Sequence, residues 1–116
     1  MASKITVYIA GPISRFPAGG SQFLNVREGV LLGERLRAAG LVPFVPHLSA
    51  LWEMISPVPY EEWMALDFAW IERCDALLRM PGESSGADRE VAHAFARGIP
   101  VFLYEEDLIE WARKPE

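Results

Sequence analysis

Residues 75–104 decide the fold, and they read DALLRMPGESSGADREVAHAFARGIPVFLY. The apolar run Asp75–Met80 predicts a buried strand, and the proline, glycine and serines of Pro81–Ser85 predict a turn. A helical pattern follows over Gly86–Arg97 and is closed by a glycine, after which Ile99–Tyr104 predicts another strand. A strand, a helix and a second strand in this order indicate a right-handed crossover between two parallel strands.

The same alternation extends toward both ends of the chain. Outside the crossover we predict strand Lys4–Ala10, a loop over 11–20, a helix from Ser21 or Asn25 to Ala39, strand Leu41–Val45, a loop over His47–Pro59 with a short helical turn, helix Tyr60–Arg73 and a terminal helix Glu105–Arg113. We therefore expect residues 1–116 to form one α/β domain: a three-layer, Rossmann- or flavodoxin-like parallel sheet of four to five strands with helices on both faces.

Composition narrows the function classes. The 116 residues are 51% hydrophobic and 23% charged, as in globular domains. The formal charge is −5 and the eleven basic residues are scattered, which argues against nucleic acid as a partner. The single cysteine, Cys74, excludes an internal disulfide and predicts a buried, inert thiol. The absence of a signal-like or membrane-length apolar run favours the cytoplasm and no membrane partner.

In open parallel sheets, ligands bind at the carboxyl ends of the strands. Three predicted loops lie there, at 11–20, 46–59 and 81–85. Functional side chains are expected in these loops and in the first turns of the helices that follow them.

Asp67 is anomalous because it falls within the apolar stripe that Tyr60, Met64, Ile71 and Cys74 form on its predicted helix. A carboxylate that faces a core must be paired, hydrogen-bonded or exposed to a cavity. A structural aspartate and a functional one both satisfy this requirement.

The segment Glu83–Glu90 opens the next helix. Ser85 and Asp88 have the spacing of a capping box, which accounts for both residues without a function. Glu90 lies one turn further on, beside the inward stripe, where it could point into the cleft while the first amides of the helix face an anion.

The segment YIAGPISR, at Tyr8–Arg15, is a candidate phosphate or sugar cradle, although a turn rich in Gly and Pro would look the same. It lacks the dinucleotide and Walker glycine motifs. His47 follows Pro46 at the end of the second strand, inside the proposed cleft, whereas His93 is predicted on an exposed helix face. Two separated histidines make a metal site unexpected. Most of the tryptophans are expected in the core, although one could stack on a planar base; the three that cluster are Trp52, Trp63 and Trp70.

Three segments together resemble the nucleoside 2-deoxyribosyltransferase superfamily, and most closely its 2′-deoxynucleoside 5′-phosphate N-hydrolases. Asp67–Asp75, DFAWIERCD, is similar to that family's D-L-x-W-L-x-x-A-D. Ser84–Glu90, SSGADRE, matches S-x-G-x-x-x-E, and Gly98–Val101, GIPV, matches G-x-P-V. The three motifs occur in the expected order.

The resemblance implies that Glu90 is the catalytic nucleophile and Asp67 the second catalytic residue. It also implies a 5′-phosphate cradle that Ser84 joins, and a histidine close to the base at His47. Pro12 and Phe16-Pro17 depart from the family's glycine-rich loop. The implied substrate-binding residues are Tyr8, Gly11, Ile13, Ser14, Arg15, His47, Ser84 and Gly86.

The resulting prediction is an enzyme that hydrolyses the N-glycosidic bond of a ribo- or deoxyribonucleoside 5′-monophosphate through a covalent glycosyl-glutamate. No metal or organic cofactor is implied. Members of the family generally form dimers or larger oligomers, so the resemblance implies a homodimer or higher homo-oligomer. The alternatives are a deoxyribosyltransferase, an NAD-cleaving glycosidase, a non-catalytic nucleotide-binding module and a purely structural domain. The base and the sugar stay open.

Overall fold

The computed structural model describes residues 4–13 and 22–114 of the chain. Within them the chain forms a four-stranded, all-parallel sheet in the order β2-β1-β3-β4. The strands are β1 (Thr6–Ala10), β2 (Val42–Phe44), β3 (Ala76–Arg79) and β4 (Val101–Phe102). The predicted α/β class and parallel sheet are confirmed.

Helices connect the strands and extend past the last one. They are α1 (Gln22–Ala38), α2 (Ser49–Ile55), α3 (Tyr60–Ile71), α4 (Ser85–Ala96) and α5 (Glu105–Arg113), with a 3₁₀ turn at Pro46–Leu48 before α2. None of the helices in the described ranges is long and apolar enough to cross a membrane.

The sheet has a separate hydrophobic core on each face, as a three-layer sandwich requires. Val7 and Ile9 of β1 point to one face and Tyr8 and Ala10 to the other, and all four are completely buried. A strand buried on both faces reads as a continuous apolar run, which is why β1 was recognisable. The first core adds Leu32 and Leu36 of α1 and Leu108 of α5; the second adds Ile71 of α3 and Ala87 and Ala94 of α4.

The edge strands are shorter than predicted. Ladder pairing of β4 ends at Phe102, so Leu103 and Tyr104 continue the apolar pattern but are 61% and 64% exposed. β2 contains Pro43, a residue that suits an edge strand because it lacks an amide donor.

Within the predicted loop His47–Pro59, the short helical turn is a helix of seven residues, α2, which is longer than expected. This helix buries none of its residues. Without a buried stripe, its sequence SALWEMI carries no helical periodicity to detect. The core positions expected for the tryptophans are also wrong: Trp52 is 56% exposed and Trp70 is 48% exposed.

His93 and Cys74 are both partly buried in the fold. His93, predicted to face solvent, is partly buried: it stacks on Phe68 with ring centroids 4.3 Å apart and bonds Glu72 at 2.7 Å. Cys74 is partly buried, and burial raises the pKa of its thiol to about 11, which disfavours the reactive thiolate.

Candidate active site

A cavity of about 520 Å³ opens at the carboxyl edge of the sheet, which is the size of a small-molecule site. The chain leaves β1 toward β2 on one side and returns to β3 on the other, so the strand order reverses between β1 and β3. Ligands of open parallel sheets bind at such a reversal.

Gly11 leaves room for the Met80 side chain where the two central strands end below the cavity. The Met80 amide donates to the Ala10 carbonyl at 2.7 Å. A Cβ atom on Gly11 would lie 2.9 Å from Cβ and Sδ of Met80, which is too close for any side chain. The rim of the cavity therefore requires glycine at this position.

Three polar side chains meet at the floor of the cavity, each from a different element. Tyr8 of β1 donates from its hydroxyl to Oε2 of Glu90 on α4 at 3.0 Å. Glu90 is only 5% exposed. Its carboxyl group is hydrogen-bonded to that of Asp67 on α3, and the Tyr8 hydroxyl is also within hydrogen-bonding reach of Asp67. Both carboxyl groups line the cavity.

The protonation of this group follows from its burial. Removal from water raises the pKa of Glu90, and the hydrogen bond and negative charge of Asp67 raise it further. Burial also raises the pKa of Asp67. Two carboxylates in contact cannot both ionise readily, so the pair shares one proton at neutral pH. Burial and the neighbouring carboxylates raise the pKa of Tyr8 well above its usual range, so its hydroxyl stays a donor.

The start of α4 forms another part of the wall. Ser84, not Ser85 as predicted, is the N-cap: its Oγ accepts from the Ala87 amide at 3.0 Å. With Ser84 as the N-cap, the N3 position is Ala87, so the capping box of Ser85 and Asp88 does not form. Asp88 pairs with Arg79 at 2.9 Å. The Ser84 hydroxyl keeps its own proton to donate, and Ser85 and Gly86 present the first turn of the helix to the cavity.

The predicted substrate-binding residues separate into groups. Gly11, Ile13, Ser84 and Gly86 line the cavity beside the carboxyl pair. Tyr8 lies behind the wall and reaches Glu90 through its hydroxyl. Ser14 and Arg15 lie outside the described residues.

His47 is placed elsewhere. It is completely buried and does not line the cavity; a Cβ on Gly29 of α1 would lie 2.6 Å from its Cγ. Burial lowers the pKa of His47 to about 4, so the ring is neutral. Among the described residues, neither ring nitrogen has a hydrogen-bond partner of good geometry.

The sequence did not indicate Glu53 as part of the site, and of the three clustered tryptophans Trp63 is the one that lines the cavity. Oε1 of Glu53, on α2, accepts from Nε1 of Trp63 at 2.7 Å and from the Val58 amide at 2.9 Å. Both side chains line the cavity. Glu53 falls in the predicted loop His47–Pro59 with its short helical turn, so nothing indicated that it faces inward.

The described wall of the cavity is acidic. It carries four carboxyl groups and, among residues 4–13 and 22–114, no lysine or arginine; the four are Glu53, Asp67, Glu83 and Glu90. No group of three or more metal-ligating side chains in those ranges could hold a metal ion.

Comparison with known proteins gives one family and a recurring fold. The model of the family described as "Domain of unknown function (DUF4406)" matches residues 5–103. No curated protein matches the chain.

Several solved structures are similar. A conserved protein from Enterococcus faecalis V583 is 25% identical with a TM-score of 0.67, over 85% of this chain and 62% of its own. A 2-deoxyribosyltransferase from Bacillus psychrosaccharolyticus is 20% identical with a TM-score of 0.59, over 83% of this chain and 69% of its own. A 2-deoxyribosyltransferase from Leishmania mexicana is 22% identical with a TM-score of 0.56, over 84% of this chain and 61% of its own. This chain therefore has the fold of 2-deoxyribosyltransferases and spans about three fifths of two of these proteins.

Proposed function

Since the chain belongs to the DUF4406 family, whose description leaves the activity open, we propose from the site that it cleaves the N-glycosidic bond of a nucleoside 5′-monophosphate by hydrolysis. The observation that carries the proposal is the buried Tyr8–Glu90–Asp67 group on the floor of a cavity of nucleotide size. A structural role alone gives no reason to bury two carboxyl groups against each other, because the pair is costly to desolvate.

The residues suit a double displacement at the sugar. Glu90 attacks C1′ as a carboxylate while the bond from C1′ to the base nitrogen breaks and its electron pair leaves with the base. The proton that the carboxyl pair shares passes through Asp67 to the departing base. Water then attacks C1′, Asp67 takes a proton from that water, and the bond to Glu90 breaks. The products are free base and sugar phosphate.

Tyr8 serves the nucleophile in this scheme. Its hydroxyl donates to Oε2 of Glu90 and so helps to orient the carboxylate that attacks. The same donor stabilises the carboxylate again when the glycosyl-enzyme is hydrolysed.

The start of α4 is the proposed phosphate end of the cavity. The first amides of a helix and the Ser84 hydroxyl are donors suited to an anion. Gly11 and Ile13 lie in the same wall, and Ser14 and Arg15 are proposed to complete the cradle. The acidic character of the described wall makes such a cradle necessary for a phosphorylated substrate.

A transferase is the second candidate, because two proteins with the same fold are 2-deoxyribosyltransferases. The chemistry up to the glycosyl-enzyme is identical, and only the second acceptor differs. A base in place of water would make the protein a transferase.

We also propose a homodimer or higher homo-oligomer. The outward face of α2 exposes large apolar side chains, with Met54 75% and Ile55 77% exposed. Phe23, at the start of α1, is 71% exposed. Large apolar side chains exposed to this extent are typical of protein contacts.

The test is base release from a panel of ribo- and deoxyribonucleoside 5′-monophosphates, the corresponding nucleosides and NAD, with and without an acceptor base. We expect release by the wild type, at least a thousandfold loss in Glu90→Gln and a loss of about 10²–10⁴ in Asp67→Asn. Glu62→Gln makes the same chemical change on α3 outside the cavity and serves as the control. Ligand binding without base release from any compound would refute the enzyme and favour a nucleotide-binding module.

A further inference from the structure

A third carboxylate, that of Glu53, lines the cavity and is held in place by two hydrogen bonds, although the proposed chemistry does not use it. Glu53 belongs to α2, and its partner Trp63 lies four residues before Asp67 on α3. Four residues of helix span about 6 Å, so Glu53 is held about one turn along from the site of bond cleavage. A nucleobase that Asp67 protonates as it leaves C1′ would extend across such a distance.

The two oxygens of Glu53 are not equivalent. The Trp63 indole and the Val58 amide both donate to Oε1, and no donor among the described residues meets Oε2. The hydrogen bonds from Trp63 and then from Val58 hold the pKa of Glu53 below its usual range, so it is ionised at neutral pH. Because Glu53 lines the cavity and both donors hold Oε1, Oε2 is left as an acceptor for a ligand.

The neighbours of Glu53 suit a planar, largely apolar group. Trp63 itself lines the cavity together with Ala50 and Val58. Trp52 packs edge-on against Trp63, with ring centroids 5.3 Å apart, and so supports the indole from outside. Aromatic and aliphatic walls with one fixed polar atom are typical of a site that selects a heterocycle by its edge.

We propose that Oε2 of Glu53 accepts a hydrogen bond from the exocyclic amino group of the nucleobase, so that adenine and cytosine are selected over hypoxanthine and uracil. A carboxylate only accepts, so it binds an amino group and repels the carbonyl oxygen that takes its place in the oxo bases. The acidic wall acts in the same direction. This inference rests on the proposed function.

The anchoring of Oε1 makes a substitution at Glu53 unusually informative. In Glu53→Gln, the amide oxygen must stay with the two donors from Trp63 and Val58. The amide nitrogen then takes the place of Oε2 and presents N–H groups to the cavity. The variant is therefore expected to reverse the preference, from amino bases to oxo bases, whereas a purely structural Glu53 would give no reversal.

The test is calorimetric binding in the Glu90→Gln background, where nothing is turned over. The probes are 5′-monophosphates, those of 2′-deoxyadenosine with 2′-deoxyinosine and those of 2′-deoxycytidine with 2′-deoxyuridine. We expect the amino member of each pair to bind about tenfold or more tightly with Glu53 present, and the oxo member to bind more tightly after Glu53→Gln. Glu62→Gln should leave both ratios unchanged.

Equal binding within the pairs, an unreversed preference in folded Glu53→Gln, or no binding of any probe would overturn the inference. Should Glu53→Gln fail to fold, purine 2′-deoxyriboside 5′-monophosphate decides the matter with Glu53 intact. It lacks the amino group and should bind about tenfold or more weakly than 2′-deoxyadenosine 5′-monophosphate. Base release by the wild type is measured separately, so release without amino preference refutes this inference and leaves the proposed function standing.

Discussion

Replacing Glu90 by glutamine is expected to stabilise the fold at neutral pH while it abolishes base release. Glu90 is 5% exposed and bonded to Asp67, and its surroundings raise its pKa above the ordinary value of 4.5. The folded protein therefore keeps a proton at pH 7 that the unfolded chain has lost. Glutamine keeps an acceptor for Tyr8 and a donor for Asp67 without titrating.

The sign and size of this stabilisation follow from the number of protons that the folded and unfolded states bind. Between pH 4.5 and the raised pKa of Glu90 in the folded protein, the folded state binds one proton more than the unfolded state. The wild type's free energy of unfolding must then fall with rising pH, by about 1.4 kcal/mol per pH unit. At pH 7 the accumulated loss is about 3 kcal/mol, which Glu90→Gln does not suffer.

The assay is urea unfolding of the wild type and Glu90→Gln at intervals from pH 5 to pH 8. The difference in unfolding free energy should widen in favour of the variant as pH rises. Glu62→Gln, which alters an exposed carboxylate on the same α3 that carries Asp67, should run parallel to the wild type. Parallel curves for Glu90→Gln as well would refute the shared proton and the protonation scheme built on it.

Three other outcomes are expected. Gly29→Ala should lower the unfolding free energy by about 1–3 kcal/mol, because the new Cβ would lie 2.6 Å from the buried His47 ring; unchanged urea midpoints would contradict this packing. Cys74 should react with iodoacetamide at pH 8 much more slowly than free cysteine, because burial raises its thiol pKa to about 11; reaction at the free rate in the folded protein would show an accessible thiolate. Met54→Lys combined with Ile55→Lys should reduce the oligomer mass in light scattering without loss of helical circular dichroism; an unchanged mass would remove α2 from the interface.

The sequence was most informative where burial repeats with a regular period. β1 and β3 are buried on both faces, and their apolar runs identified the central strands. α4 buries Ala87, Glu90 and Ala94 on one face, so its position was recognisable and only its cap was misplaced by one residue. The end of β4 could not be predicted, because the apolar run continues beyond Phe102, the last residue paired with β3.

The site was only partly predictable for a related reason. Asp67 was conspicuous because a carboxylate interrupted an apolar stripe, and its contact with Glu90 follows from the packing of α3 against α4. Glu53 had no such contrast, since α2 buries no residue. Its inward direction depends on where the Trp63 indole and the Val58 amide come to lie, and both positions are set by tertiary packing.

The two faces of α2 have a consequence for how activity would depend on the amount of protein. Ser49, Ala50 and Glu53 line the cavity, while Met54 and Ile55 of the same short helix are exposed. A second copy seated on the outer face would hold the helix in place, and a ligand in the cavity would hold it from inside. By linkage, each event strengthens the other. Specific activity would then rise with enzyme concentration, and substrate would protect the assembly against dilution.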